Sequence, residues 1–235
     1  MAKYVLITGC SVGGIGNALA RAFASRGINV FATARDASRM ENLTGLPNIT
    51  LITLDVTSYD QIAEAIQKVS EVTGGTLDYL INNSGQHSTM PALDSDMDTA
   101  RRLFDVNFWA VLQMTQSFTP LLITARENII NIGSIAGVTP FPSISVYSAS
   151  KAALHAFDTA LWYEIAPFGV DVITVITGAV QSRIADNALK LKLPNGSRYF
   201  QAEELLETIT LGKGTDGSRM TKIDVYAQRV LDDIL

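Results

Sequence analysis

The sequence predicts a single α/β domain in which helices cover both faces of a doubly wound parallel β-sheet. The 235 residues suit one well-buried domain, because domains commonly hold roughly 100 to 200 residues. Short β-branched segments alternate with longer amphipathic ones, which is typical of parallel strands joined by helices. The β-branched segments are also almost continuously apolar, as expected for strands that are buried on both faces.

Six apolar segments define the predicted strands. In chain order they are YVLIT (4–8), NVFAT (29–33), ITLITLDV (49–56), LDYLIN (77–82), NIINIG (128–133) and VDVITVIT (170–177). Between them, apolar residues recur every three or four places, which predicts helices. Examples are Ile62, Ile66 and Val69, and Leu154, Phe157, Leu161 and Ile165. Within the single domain 1–235, we expect residues 181–222, rich in glycine and mixed charges, to form a substrate lid.

Composition excludes several classes of function. A net charge of -5 offers no basic surface for nucleic acid. The single cysteine, Cys10, and the two histidines, His87 and His155, exclude an internal disulfide and leave no cluster spaced to bind a metal. No apolar run approaches the ~20 residues of a membrane span. We therefore expect an intracellular, cytoplasmic protein that acts on small molecules.

The segment TGCSVGGIG (8–16) joins the first strand to an alanine-rich helix. Glycines here let the backbone approach a pyrophosphate, and the helix N-terminus offers unpaired N–H groups, as in Rossmann-type dinucleotide sites. The cofactor-binding residues expected in this turn are Gly9, Ser11, Gly14, Ile15 and Gly16.

Two other motifs match the same letters. A nucleoside-triphosphate loop requires lysine and a hydroxyl where Ile15 and Gly16 stand, so this alternative fails. The serine-hydrolase elbow matches residues 9–13 but needs an oxyanion-hole loop from an earlier strand, and the sequence has none. A hydrolase remains a distant second hypothesis.

The choice between NAD and NADP depends on the end of the second strand, where an acidic residue would bind the ribose of NAD. Arg35 follows this strand, and a guanidinium can bind a 2′-phosphate with two hydrogen bonds. NADP(H) is therefore favoured, although Asp36 beside it leaves NAD open.

The segment SVYSASKAAL (145–154) places Tyr147 four residues before Lys151, so the two side chains share one helix face. Tyrosine ionises near pKa 10, and a neighbouring ammonium should lower that value and make the phenol a better acid at neutral pH. Ser134 ends the fifth strand, at the sheet edge where α/β proteins bind ligands. Its hydroxyl can bond a substrate oxygen.

Together these motifs resemble the short-chain dehydrogenase/reductase family. The resemblance covers about residues 3–182 and rests on TGxxxxGIG (8–16), NNSG (82–85), Asn107 in DVNFW, Ser134, and YSASK (147–151). It implies hydride transfer between a nicotinamide and a carbonyl or alcohol, with Tyr147 as general acid/base. It also implies that Lys151 holds the nicotinamide ribose, Ser134 orients the carbonyl, and Asn107 anchors a water that links Lys151 to solvent.

The resemblance extends to further cofactor contacts and to a partner subunit. Asp55 and Val56 would flank the adenine, and Val180 and Ser182 would touch the carboxamide. Asn82, Ser84 and Gly85 would border the cofactor at the fourth strand. Helices near 98–119 and 147–168 would pair two subunits into a homodimer.

A closer similarity to fungal NADPH-dependent 1-acyl dihydroxyacetone phosphate reductases lies in NNSGQHSTMPALD (82–94), YSASKAALHAF (147–157) and ITGAVQSRIAD (176–186). It implies a ketone reductase acting on an acyl dihydroxyacetone phosphate or another hydrophobic ketone. An NAD(P)-dependent alcohol dehydrogenase and a catalytically silent NADP-sensing regulator remain alternatives.

The sequence departs from the family pattern at four places. The glycine turn has one extra residue, Ser84 replaces the usual alanine, and Thr177 replaces the usual proline. The fourth departure is that the family's seventh strand is not found after the helical stretch KIDVYAQRVLDDIL. We therefore expect a sheet that lacks its last strand, and any membrane-associating tail would lie in the missing part.

The sequence contains three weaker candidates for functional sites. DSDMD (94–98) matches a calcium loop poorly, because Thr99 stands where glycine is required, and acidic residues at a helix start explain it better. Three lid cations are candidates for binding a substrate phosphate: Lys190, Lys192 and Arg198. His87 follows NNSGQ closely enough to contact substrate.

Overall fold

The computed structural model describes residues 2–183, 192–211 and 220–235. Its six strands form one parallel sheet in the order β3-β2-β1-β4-β5-β6, which confirms the predicted fold class. The strands are β1 (Tyr4–Ile7), β2 (Asn29–Ala34), β3 (Ile49–Thr53), β4 (Tyr79–Asn82), β5 (Asn128–Ile132) and β6 (Asp171–Val175). Four of them, β1, β3, β5 and β6, end one to three residues earlier than predicted, where the chain turns into the loops at the carboxyl edge, and β4 begins two residues later.

The described part of the chain contains seven α-helices. They are α1 (Ile15–Ser25), α2 (Tyr59–Thr73), α3 (Met97–Phe104), α4 (Ala110–Ala125), α5 (Ser145–Ile165), α6 (Glu203–Leu211) and α7 (Ile223–Ile234). A π-helical turn, Asp105–Trp109, joins α3 to α4. The spacing of Ile62 and Val69, and of Leu154, Leu161 and Ile165, predicted α2 and α5, and all five side chains are buried.

The core consists of two apolar layers, one on each face of the sheet. Val30 and Ala32 of β2 pack with α1 and α7 on one face, whereas Phe31, between them in sequence, packs with α2, α4 and α5 on the other. Successive strand residues point to opposite faces, so a strand that is apolar at every position is covered on both sides. The sequence pattern and the two layers therefore agree.

The strand order reverses direction between β1 and β4. After β3 the chain returns to place β4 on the other side of β1, and the loops at the carboxyl ends of these strands diverge. Such a switch point opens the crevice in which α/β proteins bind ligands.

The predicted lid leaves and rejoins the body of the protein at one place. Val180 and Thr221 form a parallel bridge, in which Thr221 N–H donates to the Ala179 carbonyl and Gln181 N–H donates to the Thr221 carbonyl, each over 2.9 Å. Its described middle part includes α6 and packs Leu193 and Leu206 with Met90. Among the described residues, no helix is both long enough and apolar enough to traverse a lipid bilayer.

Candidate active site

A cleft of about 1210 Å³ runs along the carboxyl edge of the sheet, across the switch point. Most of the predicted site residues line it. They are Gly9, Ser11, Gly14, Ile15, Arg35, Asp55, Val56, Ser84, Gly85, Ser134, Tyr147, Lys151, Val180 and Ser182. The fold thus brings together residues that lie up to 173 positions apart in the sequence (9 to 182).

Three predicted residues are not among those that line the cleft: Gly16, Asn82 and Asn107. A Cβ on Gly16 would meet Asn83 Nδ2 at 2.6 Å and the Gly9 carbonyl oxygen at 2.7 Å, so Gly16 serves close packing of α1 against the loop after β4. Asn82 is buried and donates from Nδ2 to Asn131 Oδ1 over 2.8 Å. Asn107 is also buried, within the π-helical turn.

The glycine turn has the properties of a phosphate cradle. Gly14 caps α1 without any side-chain hydrogen bond, and the first turn of α1 holds no acidic residue, so its N–H groups and partial positive charge are available to an anion. A Cβ on Gly9 would stand 3.0 Å from Asn83 Nδ2 and 3.1 Å from Ser84 Oγ. These residues therefore fit a dinucleotide diphosphate.

The end of β2 provides two arginines at the cleft. Arg35 and Arg39 both line it, and Arg39 lies on the turn of 3₁₀ helix that follows β2. Asp36 caps this turn by accepting a 2.9 Å hydrogen bond from Ser38 N–H, an interaction that lowers the pKa of its carboxyl. The carboxylate of Asp36, which kept NAD possible as the cofactor, is therefore already hydrogen-bonded within its own loop.

Tyr147 lies on the cleft beside Ser134 and is 7 % exposed. Burial raises the pKa of Tyr147 above its ordinary value, and a hydrogen bond with Ser134 partly offsets the increase. The prediction that the neighbouring ammonium lowers the pKa of Tyr147 is therefore wrong for this structure, because the cost of burying a phenolate is larger. The phenol stays protonated at neutral pH.

Lys151 is buried one helical turn beyond Tyr147, and its Nζ donates a 2.8 Å hydrogen bond to the Ile132 carbonyl oxygen. Burial lowers the pKa of Lys151 to about 8, while the charge of Asp158 opposes this decrease. At neutral pH the lysine is mostly an ammonium. Lys151 lines the cleft and carries a positive charge there.

Asp158 is a buried carboxylate two helical turns beyond Lys151 on α5. Its oxygens accept hydrogen bonds from Asn131 Nδ2 over 2.5 Å and from Thr174 Oγ1 over 2.6 Å. Burial raises the pKa of Asp158 to about 6. A polar chain therefore runs from Asn82 through Asn131 to Asp158, beneath the catalytic candidates.

The two histidines lie on either side of this constellation. The His87 ring is 4.6 Å from the Tyr147 ring, centroid to centroid, and lines the cleft; burial lowers the pKa of His87. His87 Nδ1 is buried and has no hydrogen-bond partner within the described residues. His155 Nε2 accepts a 3.3 Å hydrogen bond from Ser134 N–H, so His155 supports the loop that carries Ser134.

Asn107 is held by its amide. Oδ1 accepts from Gln86 N–H over 2.8 Å, and Nδ2 donates to the Gln86 carbonyl over 2.9 Å and to Ser150 Oγ over 3.0 Å. A Cβ on Gly85 would lie 3.4 Å from Asn107 Oδ1 and 3.9 Å from Lys151 Nζ. Asn107 therefore fixes the loop between itself and the lysine, and its role toward a water stays a prediction.

Of the weaker candidates, His87 lines the cleft, whereas the described lid cations and the DSDMD segment do not. Lys190 lies outside the described residues, and Lys192 and Arg198 are exposed without lining the cleft. Asp96 accepts a 2.7 Å hydrogen bond from Thr99 N–H, which confirms that an acid of DSDMD caps a helix. Ser11 has no hydrogen bond to either histidine in the portion of the chain that the structure describes.

Sequence reasoning missed Arg39 and Arg183, which also line the cleft. The sequence signal for Arg39 is its position four residues after Arg35, in the segment that follows β2. Arg183 gave no such signal, because it lies 170 positions beyond the glycine it contacts, Gly13. Only the fold brings those two residues together.

Comparisons with known proteins identify the family of this chain. A family model described as short chain dehydrogenase matches residues 3–192. "Short-chain dehydrogenase PC-15" from Penicillium crustosum is 47% identical over 233 residues, which cover 99% of this chain and 84% of that protein. "NADPH-dependent 1-acyldihydroxyacetone phosphate reductase" from Schizosaccharomyces pombe is 43% identical over 208 residues, 87% of this chain and 70% of that protein.

A solved structure, a short-chain dehydrogenase from Streptomyces avermitilis, is similar at a TM-score of 0.83 with 26% sequence identity. The match covers 98% of this chain and 82% of that chain.

Proposed function

Because the chain belongs to the short-chain dehydrogenase family, we propose that it is an NADPH-dependent reductase that converts a ketone to a secondary alcohol. The observation that carries the proposal is that Tyr147, Ser134 and Lys151 meet on one cleft that also contains the glycine turn. A proton donor, a hydroxyl and a cation thus line the same cleft as a glycine turn that fits a dinucleotide diphosphate.

Tyr147 is the general acid of the proposed reaction. Its raised pKa keeps the phenol protonated, so it donates a proton to the carbonyl oxygen, which the Ser134 hydroxyl orients. The reduced nicotinamide, when bound, supplies a hydride to the carbonyl carbon. Lys151 stabilises the phenolate that remains, because a nearby cation favours the charged form.

NADPH is the proposed cofactor because of the residues that follow β2. Arg35 and Arg39 line the cleft and offer guanidinium groups to a 2′-phosphate, whereas the Asp36 carboxylate is hydrogen-bonded to Ser38 N–H. The S. pombe relative is named for NADPH, which supports the same choice.

The proposed substrate is a hydrophobic ketone. Apolar side chains line the cleft from three parts of the chain: Leu103, Val106, Trp109, Val180 and Met220. The S. pombe relative is named for an acyl dihydroxyacetone phosphate, so this compound is the first candidate. Arg102 of α3 lines the cleft and can meet a substrate phosphate in place of Lys192 and Arg198.

We also propose a homodimer formed through α4 and α5. Trp109 at the start of α4 is 55% exposed, and Trp162 and Tyr163 of α5 are 41% and 69% exposed. Light scattering on the purified protein tests this, with Trp162→Glu expected to yield monomers.

The reductase proposal is tested by Tyr147→Phe, with NADPH absorbance followed against a panel of ketones that includes an acylated dihydroxyacetone phosphate. Removal of a positioned proton donor should lower kcat about 10² to 10⁴-fold while the Kd for NADPH is retained. Tyr79→Phe is the matched control, because Tyr79 is also a buried tyrosine but does not line the cleft. Unchanged turnover in Tyr147→Phe would refute the proposal.

The alternatives give different results in the same assay. An alcohol dehydrogenase uses the same residues in the opposite direction, and NADP⁺ with the alcohol product measures it. A silent sensor would bind NADPH but reduce no ketone of the panel, and Tyr147→Phe would then change nothing.

A further inference from the structure

Arg183 lies directly on the glycine turn. Its N–H donates a 3.2 Å hydrogen bond to the Gly13 carbonyl oxygen. A Cβ built on Gly13 would stand 2.6 Å from Arg183 Cδ and 2.9 Å from Cγ. The aliphatic stem of the arginine therefore passes over the Cα of Gly13, through space that any other residue would fill.

Gly13 suits this contact in a second way. Its φ is 75°, in the left-handed region that glycine adopts at little cost. It belongs to the turn that is one residue longer than the family pattern TGxxxGIG. The longer turn and the arginine thus form a matched pair, although Gly13 and Arg183 lie 170 positions apart in the sequence.

The turn beneath Arg183 is fixed independently of it. Val12 N–H donates a 2.8 Å hydrogen bond to the Arg39 carbonyl, and Gly14 N–H donates a 2.9 Å bond to the Ser11 carbonyl. The arginine stem therefore rests on a rigid support, which reduces the entropy lost when its head binds a ligand.

As far as the described residues are concerned, the guanidinium of Arg183 is unpaired. It lines the cleft, and no ion pair or hydrogen bond joins it to another described residue. Two carboxylates that line the cleft are engaged with their own loops, Asp36 with Ser38 N–H and Asp55 with Thr57 N–H. Arg183, whose aliphatic stem is held on Gly13 and whose guanidinium has no partner among the described residues, is arranged to bind an anion.

We infer that Arg183 is a further cofactor-binding residue, whose guanidinium binds the diphosphate of the dinucleotide above the glycine turn, and that Gly13 is the residue that makes room for it. This inference rests on the proposed function, because it takes the dinucleotide as the ligand of the cradle. It assigns different anions to the arginines of the cleft: the diphosphate to Arg183 and the 2′-phosphate to Arg35.

The two assignments predict different patterns of affinity. NADH and NADPH share the diphosphate, whereas only NADPH carries the 2′-phosphate. Arg183→Met keeps an apolar stem over Gly13 and removes the charge, so it should weaken both cofactors by the same factor, about tenfold. Arg35→Met should weaken NADPH selectively.

Equilibrium titration with NADPH fluorescence, and separately with NADH, measures both dissociation constants without turnover. Arg229→Met is the matched control, since Arg229 is an exposed arginine of α7 that does not line the cleft. Arg183→Lys should recover part of the affinity. Gly13→Ala should displace the arginine stem and so weaken both cofactors, as Arg183→Met does by removing the charge. The double variant should be no weaker than Gly13→Ala alone, because the guanidinium is already displaced from the diphosphate in that variant.

The outcomes separate this inference from the proposed function. If Arg183→Met binds both cofactors as tightly as the wild type, the inference is overturned while NADPH binding stands. If only NADPH is weakened, Arg183 binds the 2′-phosphate and the assignment to the diphosphate is wrong. A wild-type protein that binds neither dinucleotide overturns both. Thermal unfolding of each variant shows whether the fold is retained.

Discussion

The ammonium of Lys151 donates a 2.8 Å hydrogen bond to the carbonyl oxygen of Ile132, and both residues are buried. This contact ties the middle of α5 to the carboxyl end of β5, directly beside the loop that carries Ser134. A lysine placed in this way has a charge that depends on its surroundings, since burial favours the neutral amine and a neighbouring carboxylate favours the ammonium. The balance between the neutral and charged forms of Lys151 can be measured through the pH dependence of activity and stability.

The first prediction concerns the alkaline pH dependence of activity. The pKa of Lys151 is lowered from 10.5 to about 8, so ketone reduction should decline as pH rises through about 8 and the ammonium is lost. The kcat/KM measured against pH checks this. A profile that stays flat well above pH 8 would contradict it.

The same shift has a consequence for stability. The unfolded chain keeps the Lys151 proton up to about 10.5, whereas the folded protein releases it from about 8. Because the unfolded state then binds more protons between these values, this lysine makes the free energy of unfolding rise with pH across that window. Lys151→Met should remove this increase.

The second prediction concerns Asp158 as a positioning residue for the charge of Lys151. Asp158→Asn removes the carboxylate that raises the lysine pKa, so the alkaline decline of activity should move to lower pH. The acid limb of stability should change as well. The pKa of Asp158 is raised from 3.8 to about 6, so this residue makes the free energy of unfolding fall as pH rises between those values. In Asp158→Asn this decrease should be absent.

A suitable control for Asp158→Asn is Asp171→Asn, which removes an exposed carboxylate at the start of β6. It should leave the activity profile in place. An unshifted profile in Asp158→Asn, with a normal fold, would show that the lysine does not sense this carboxylate.

The third prediction concerns the ring contact between His87 and Tyr147, whose centroids are 4.6 Å apart. If the imidazole orients the phenol by packing, His87→Phe should keep turnover within about threefold, whereas His87→Ala should lower kcat about tenfold, because small misplacements of a reacting group are costly. Steady-state kinetics with a fixed ketone tests this. Equal losses in both variants would instead indicate that a ring nitrogen binds substrate.

The fourth prediction concerns Gly16, where a Cβ would stand 2.6 Å from Asn83 Nδ2 and 2.7 Å from the Gly9 carbonyl oxygen. Gly16→Ala should destabilise the protein by about 1 to 3 kcal/mol through overpacking, more than the gain of about 1 kcal/mol from helix propensity. Urea unfolding measures this difference. Gly178→Ala, which has open space around the new methyl group, should leave the free energy of unfolding nearly unchanged.

Local patterns allowed most of the architecture to be predicted. Continuous apolar segments predicted the six strands, because a strand that is buried on both faces is apolar at nearly every position. Three- and four-residue spacing predicted α2 and α5, because a helix that is buried on one face repeats its apolar residues at that interval. The glycine turn, Arg35, and the spacing of Tyr147 and Lys151 were visible for the same reason, since each depends on residues close together in sequence.

The site was predicted less completely where its chemistry depends on burial or distant contacts. The sign of the pKa shift of Tyr147 was wrong, because sequence spacing shows the neighbouring charge but not the cost of desolvation. Asn82 and Gly16 contact other residues of the protein in this structure, and their contact with a cofactor stays a prediction. Asp158 lies on the same helix face as Lys151, but its burial could not be foreseen.

The sequence by itself determined the sheet, the glycine turn, and the tyrosine and lysine of α5, because these follow from hydrophobic periodicity and from short-range geometry. The tertiary structure alone decided which side chains are removed from water and which distant segments touch. The pKa directions of Tyr147, Lys151 and Asp158 and the passage of Arg183 over Gly13 belong to that second group. Electrostatic free energies and steric fit depend on the surrounding three-dimensional packing, which no local pattern specifies.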